Sequence, residues 1–265
     1  MSPDPDLLAA VAALVERRLE GHHGLFVLGI SGSQGSGKST LARGLLSLLR
    51  DRGVAAEVLS IDDLYLSQAE RQRLAAEVHP LLATRGVPGT HDVELGLAVL
   101  AALDAGQAVR LPRFDKASDD PVDRADWPEV SGLRALIFEG WCIGARAQPE
   151  ASLADPVNRL EAEEDAAGVW RRWVNTQLAG PYQRLFGRID AQVFLAAPGF
   201  EIVRDWRVQQ ERDIAGQGSA VMDEAGIARF IQFYQRITQW MIEDLPTRAD
   251  LVARLDEGRQ VLRID

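Results

Sequence analysis

A chain of 265 residues, 46% hydrophobic and 26% charged, has the composition of a globular protein that can bury a full core, and its length suits one large α/β domain. Its net charge of −10 at pH 7 repels phosphate backbones and anionic lipid, so nucleic acid and membrane surfaces are not expected partners, whereas a small anionic molecule held by a few local cations is allowed. The single cysteine, Cys142, excludes an intrachain disulfide or a cysteine zinc cluster; with an acidic N-terminus and no apolar run near the roughly 20 residues that span a bilayer, it predicts a cytoplasmic protein.

The spacing of Leu7, Leu8, Val11, Leu14, Val15 and Leu19 predicts a helix over 6–20, with Asp6 as its N-cap. Residues 25–30 form a short apolar run of the kind a buried parallel strand shows, followed by a glycine-rich turn and a helix over about 38–51. A second strand is expected over 54–61, ending in Asp62 and Asp63, then helices over 67–78 and about 92–105, the latter capped by Asp92. Residues 109–130 are irregular and rich in proline and charge; a stretch this long is functional or disordered in a compact domain. Further strands are predicted over 133–138 and 191–196, with one long helix over 157–178 between them. Helices over 200–214 and 223–242 precede two short strands at 251–255 and 260–264. Strands alternating with helices imply a mainly parallel sheet with right-handed crossovers.

Gly32, Ser33, Gln34, Gly35, Ser36, Gly37, Lys38 and Ser39, with Thr40 next, satisfy G-x-x-x-x-G-K-[ST] between a buried strand and an amphipathic helix. Glycines let the backbone turn its N–H groups inward as a nest, the helix N-terminus adds positive potential, Lys38 can reach the β- and γ-phosphates, and Ser39 offers a hydroxyl to Mg²⁺. The expected ligand is a nucleoside triphosphate, ATP, with magnesium.

Asp62 closes the second strand, where ligands collect in doubly wound sheets, and can accept the proton of an attacking hydroxyl; Asp63 is the second choice, and helix capping by both is the alternative. Glu139 ends the buried run 135–138 in the manner of a Walker-B acid, which would bind Mg²⁺ directly or through water. Arg204, Arg207 and Arg212 share one arc of a helix that could close over the phosphates, although a solvated face laced with salt bridges to neighbouring acids explains them equally.

The phosphate loop, Ser60-Ile61-Asp62-Asp63-Leu64-Tyr65, Phe138-Glu139-Gly140-Trp141 and the arginine-bearing helix resemble the family of uridine kinase, phosphoribulokinase and bacterial pantothenate kinase. That resemblance implies a P-loop α/β/α sandwich of one domain, with five mainly parallel strands in the order 2-3-1-4-5 plus a C-terminal strand or hairpin. It also implies Asp62 as base, Glu139 as the Walker-B acid, a substrate insertion near 79–131 and a lid near 200–218. More narrowly, 85–92 (Arg-Gly-Val-Pro-Gly-Thr-His-Asp), 111–116 (Leu-Pro-Arg-Phe-Asp-Lys), Asp123-Arg124 and 138–144 are similar to the glycerate 3-kinase group. Two departures stand out: phenylalanine replaces the group's tyrosine at 114, and Asp119-Asp120-Pro121-Val122 replace glycines. A small hydroxy acid such as glycerate is then the implied substrate. A carboxylate needs cations or several N–H donors, and Arg85, His91, Arg113, Lys116 and Arg124, with Tyr65 and Asp92, are the candidate contacts. For a nucleoside instead, Tyr65, Phe114 and Trp127 would have to supply stacking. A GTP-driven switch is disfavoured, because a chain whose only lysines are Lys38 and Lys116 has no [NT]-K-x-D segment.

Overall fold

The computed structural model describes residues 3–215 and 223–265, with backbone only for 210–215 and 224. The elements in chain order are α1 (Pro5–Leu19), β1 (Phe26–Gly32), α2 (Lys38–Asp51), β2 (Ala56–Ser60), α3 (Gln68–Glu77), α4 (Val93–Asp104), β3 (Val109–Arg110), β4 (Phe114–Asp115), β5 (Asp120–Pro121), β6 (Glu129–Val130) and β7 (Ala135–Gly140). They continue with α5 (Arg159–Glu164), α6 (Val169–Ala179), α7 (Pro181–Phe186), β8 (Ala191–Ala196), α8 (Glu201–Ala215), α9 (Glu224–Asp244), β9 (Leu251–Leu255) and β10 (Val261–Ile264). The main sheet has six strands in the order β2-β7-β1-β8-β9-β10. All neighbours are parallel except the terminal β9–β10 pair. The expected five-strand order with an added C-terminal hairpin is the one observed.

Period-two alternation splits the apolar residues of each strand between two cores. Phe26, Leu28 and Ile30 of β1, Ile137 of β7 and Val193 of β8 share one core with α1 and α2, through Val11, Val15, Leu41 and Leu45. Val27, Leu136, Phe138 and Phe194 face the opposite core with residues of α4, α6, α7 and α9, among them Leu100, Val174, Leu185 and Ile237. Helices therefore cover both faces, which gives the three layers.

Several local expectations shift. Asp4, not Asp6, caps α1: its carboxylate accepts from the Leu7 N–H at 2.9 Å, with Pro5 in the first turn. The single helix expected over 157–178 is two, α5 and α6. Gly168 at φ +72° breaks the run, and the Asp165 carboxylate accepts from the N–H groups of Trp170 and Arg171 at 2.8 and 3.1 Å, starting a new helix. The irregular stretch 109–130 folds into two small antiparallel ribbons, β3–β6 and β4–β5. Fully buried Arg71 of α3 ties down the second ribbon, donating to the main-chain oxygen of Leu66 at 2.5 Å and to the Asp119 carboxylate at 2.5 Å.

Candidate active site

Parallel register brings three functional segments to one edge. Ile30 of β1 and Ser60 of β2 both pair with Glu139 of β7, so the glycine-rich turn, the Asp62 turn and Glu139 emerge together at the strands' carboxyl ends. In the turn, Gly35 and Gly37 take φ of +79° and +92°, a conformation that side chains resist. The Ser33 and Ser36 hydroxyls and the Gln34 side-chain oxygen are buried without a hydrogen-bond partner among the described residues. Buried polar atoms are almost always paired, so three orphans in one glycine-rich turn mark a cradle shaped for a polar ligand. Ser39, in the first turn of α2, donates its hydroxyl to Glu139 Oε1 at 3.0 Å, while Glu139 Oε2 is buried with no partner among the described residues. A hydroxyl and a half-satisfied carboxylate side by side are a donor set that suits a hard divalent cation.

Asp62 sits in a short 3-10 turn after β2, its N–H held by Ser60 Oγ at 3.2 Å. Its Oδ1 accepts from the Tyr65 hydroxyl at 2.9 Å and its Oδ2 from Lys116 Nζ at 2.6 Å. Burial pushes the Asp62 carboxyl up, but the charge and hydrogen bond of Lys116, the charge of Lys38 and the Tyr65 hydroxyl outweigh it and hold the group below its ordinary range. Asp62 is thus ionised and lies within electrostatic reach of the phosphate-loop lysine. Asp63 behaves differently. Its carboxylate accepts from the Phe114 N–H at 3.3 Å and faces Arg113 at 3.6 Å, and burial raises its pKa; it anchors the β4–β5 ribbon to the Asp62 turn.

The other expected contacts separate into groups. Tyr65 stacks on His91 with ring centroids 4.6 Å apart and meets Phe114 edge-on. His91 is buried, and burial lowers its pKa to about 4, so it is neutral at pH 7 and would serve as an N–H donor, not a cation. Asp92 caps α4, accepting from the Leu95 N–H at 2.9 Å. Arg85 pairs with Asp119 and lies 5.6 Å over the Phe114 ring. Arg124 is exposed and stacks over Trp127, while buried Trp127 gives its indole N–H to the Val122 carbonyl. On α8, the Arg207 guanidinium lies 4.8 Å from the Phe230 ring centroid; the side chain of Arg212 and the end of the expected lid beyond 215 lie outside the described residues.

No protein-family model matches the sequence. The chain is 34% identical over 219 residues to the uncharacterised kinase mug58 of Schizosaccharomyces pombe, spanning 79% of this chain and 78% of that protein. The chain belongs to the P-loop kinase family that includes D-glycerate 3-kinase. The chloroplastic D-glycerate 3-kinase of Arabidopsis thaliana is 32% identical over 78% of this chain, which spans 46% of that protein's length. A D-glycerate 3-kinase of Cryptococcus neoformans superposes with a TM-score of 0.78 at 25% identity, covering 98% of both chains. A pantothenate kinase of Nitrobacter hamburgensis is 28% identical over 88% of this chain and 68% of its own length.

In this P-loop kinase several side chains that shape the site carried little or no sequence signal. Tyr182, at the start of α7, bonds His91 Nδ1 at 2.5 Å and accepts the Gly89 N–H at 2.8 Å. Asp119, at φ +60°, clamps both Arg71 and Arg85. Trp206 packs against the phosphate loop and gives its indole N–H to the Glu257 carbonyl at 2.7 Å. Asp119 alone left a trace, as a departure from the glycines of the similar group. No helix among the described residues is long and apolar enough to cross a membrane.

Proposed function

We propose that this P-loop kinase transfers the γ-phosphoryl group of ATP to a hydroxyl of a small hydroxy acid, D-glycerate giving 3-phosphoglycerate. The observation that carries the reading is Asp62, an ionised carboxylate within electrostatic reach of Lys38, paired with Lys116 and next to the Asp63–Arg113 pair. The names of the relatives and the charge of the site agree on an anionic acceptor. Stacking of a nucleoside is disfavoured, since Tyr65 and Phe114 pack on one another and Trp127 is buried.

In this mechanism the amides of 32–37 and Lys38 hold the phosphates. Ser39 and Glu139 would hold Mg²⁺, which when bound would offset negative charge on the phosphates. Lys116, with Arg113 and Arg85, draws in the acceptor carboxylate; as Lys116 Nζ turns from Asp62 to the substrate, Oδ2 is opened to the hydroxyl. The hydroxyl oxygen attacks the γ-phosphorus, its proton passes to Asp62, and the bond to the ADP oxygen breaks. Arg207 and Arg212 of α8 stabilise charge on the transferring group. Single domain organisation, with residues near 79–131 as the acceptor module and α8 as lid, completes the proposal.

The test is ADP release with and without D-glycerate, pantothenate or a nucleoside, with the product identified by mass. Glycerate-stimulated turnover is expected, and Asp62→Asn lowers it by about 10²–10⁴-fold with ATP binding retained. Turnover indifferent to every acceptor, or stimulated by pantothenate alone, overturns the glycerate assignment.

A further inference from the structure

We infer that His91 is a specificity-determining residue of the acceptor site: its Nε2–H, set in place by Tyr182, donates a hydrogen bond to a carboxylate oxygen of the acceptor. The inference rests on the reading of the Asp62 turn as the acceptor site and adds how that site reads its substrate.

The argument begins with the Tyr182 hydroxyl. Its oxygen accepts the Gly89 N–H at 2.8 Å. Among the described residues, no acceptor other than His91 is bonded to that hydroxyl. The hydroxyl still has one proton to give, and His91 Nδ1 lies 2.5 Å away. Tyr182 therefore donates to Nδ1, which places the imidazole proton on Nε2. The opposite tautomer strands two groups, the hydroxyl proton and the Nε2 lone pair; this one strands only the Nε2–H.

That remaining donor is the second observation. His91 is 4% exposed, and its Nε2 is buried with no hydrogen-bond partner among the described residues. An unmet buried donor is costly, and such groups persist where a ligand completes them. Its location fits a ligand of this kind: the ring stacks on Tyr65, whose hydroxyl holds Asp62. With burial keeping the ring uncharged, it recognises an oxygen by hydrogen bonding while Lys116 supplies the charge. A residue buried on an aromatic face with its tautomer set from behind rejects acceptors that lack an oxygen at that point, because the donor is then left unpaired.

The test uses full-length protein with ¹⁵N-labelled histidine, of which the chain has four. Long-range ¹H–¹⁵N spectra at pH 7 are expected to contain one ring, assigned by its loss in His91→Phe, with protonated Nε2 and an acceptor-type Nδ1. Saturating D-glycerate with a non-hydrolysable ATP analogue moves its Nε2–H resonance. His91→Phe raises the KM for glycerate roughly ten- to hundredfold with the KM for ATP unchanged, and His91→Gln, which retains an N–H donor, recovers part of the loss. A protonated Nδ1 in the free protein, an Nε2–H unmoved by saturating acceptor, or an unaltered glycerate KM in a folded His91→Phe each overturns the inference. Wild-type protein that ignores glycerate sinks the glycerate assignment by itself; the tautomer in the free protein still decides this one, and the titration is then made with whichever acceptor stimulates turnover.

Discussion

Trp206 of α8 rests directly on Gly35 of the phosphate loop: a β-carbon added to that glycine would lie 2.7 Å from Trp206 Cβ. The Arg259 guanidinium lies 5.6 Å from the centre of the Trp206 ring, so the turn before β10, α8 and the phosphate loop form one packed stack. Gly35 also has φ +79°, which costs an L-residue about 1–2 kcal/mol. Gly35→Ala is therefore expected to fold but to weaken ATP binding by roughly tenfold or more, through backbone strain and displacement of Trp206. Calorimetric titration with an ATP analogue measures it, and wild-type affinity in the variant would show that the stack does not constrain the loop.

Lys116 offers a test of the base through pH. Its charge and hydrogen bond are the main influences opposing the upward push of burial on Asp62. In Lys116→Met burial prevails, so the Asp62 carboxyl rises. The base must be ionised to accept a proton, and the acidic limb of the kcat/KM profile then moves to higher pH, with activity lost sooner on acidification. The KM for an anionic acceptor should rise as well. A limb that stays in place argues that the titration belongs to another group.

Removing one carboxylate charge at Glu139 probes the metal site without disturbing the fold. Glu139→Gln keeps an oxygen to accept from Ser39, now 3.0 Å from Oε1, yet loses the charge that a hard cation requires. The Mg²⁺ concentration for half-maximal activity is expected to rise about tenfold or more, while the melting temperature in the absence of nucleotide and metal changes little. An unaltered metal dependence would remove Glu139 from the metal site.

Away from the chemistry, Arg236 of α9 is bonded to Glu161 of α5 at 2.7 and 2.6 Å and to the carbonyls of Ser152 and Asp155, each at 2.7 Å. Both side chains are almost completely buried. Breaking such a pair leaves a charge without compensation and costs about 3–5 kcal/mol. Arg236→Met should lower the melting temperature by several degrees in thermal unfolding, whereas Arg236→Met with Glu161→Leu recovers much of the loss. A double variant no more stable than the single one would mean that the carbonyl contacts, not the ion pair, dominate.

The parts of the site legible in the sequence are those made of neighbouring residues. The phosphate loop announces itself by its glycines, lysine and serine between a strand and a helix, and Asp62 and Glu139 by ending apolar runs. Less was legible where one charge can choose among several partners. Arg85, Arg113 and Lys116 read as three equivalent cations, yet they meet Asp119, Asp63 and Asp62 respectively. The sequence leaves open whether His91 serves as a cation or as an N–H donor, and its burial beside Tyr65 and Tyr182 makes it neutral.

Residue order along the chain was enough to set the alternation of strands and helices, the phosphate loop and the acids at two strand ends, because hydrophobic periodicity and a tight glycine turn depend on residues a few positions apart. Folding was needed to bring Ser39 to Glu139, 100 positions away, and Tyr182 to His91 across 91 positions. The difference is one of range: hydrogen bonds and ion pairs act over a few ångströms, and burial sets their strength, so their partners exist only once the sheet has brought distant segments to one edge.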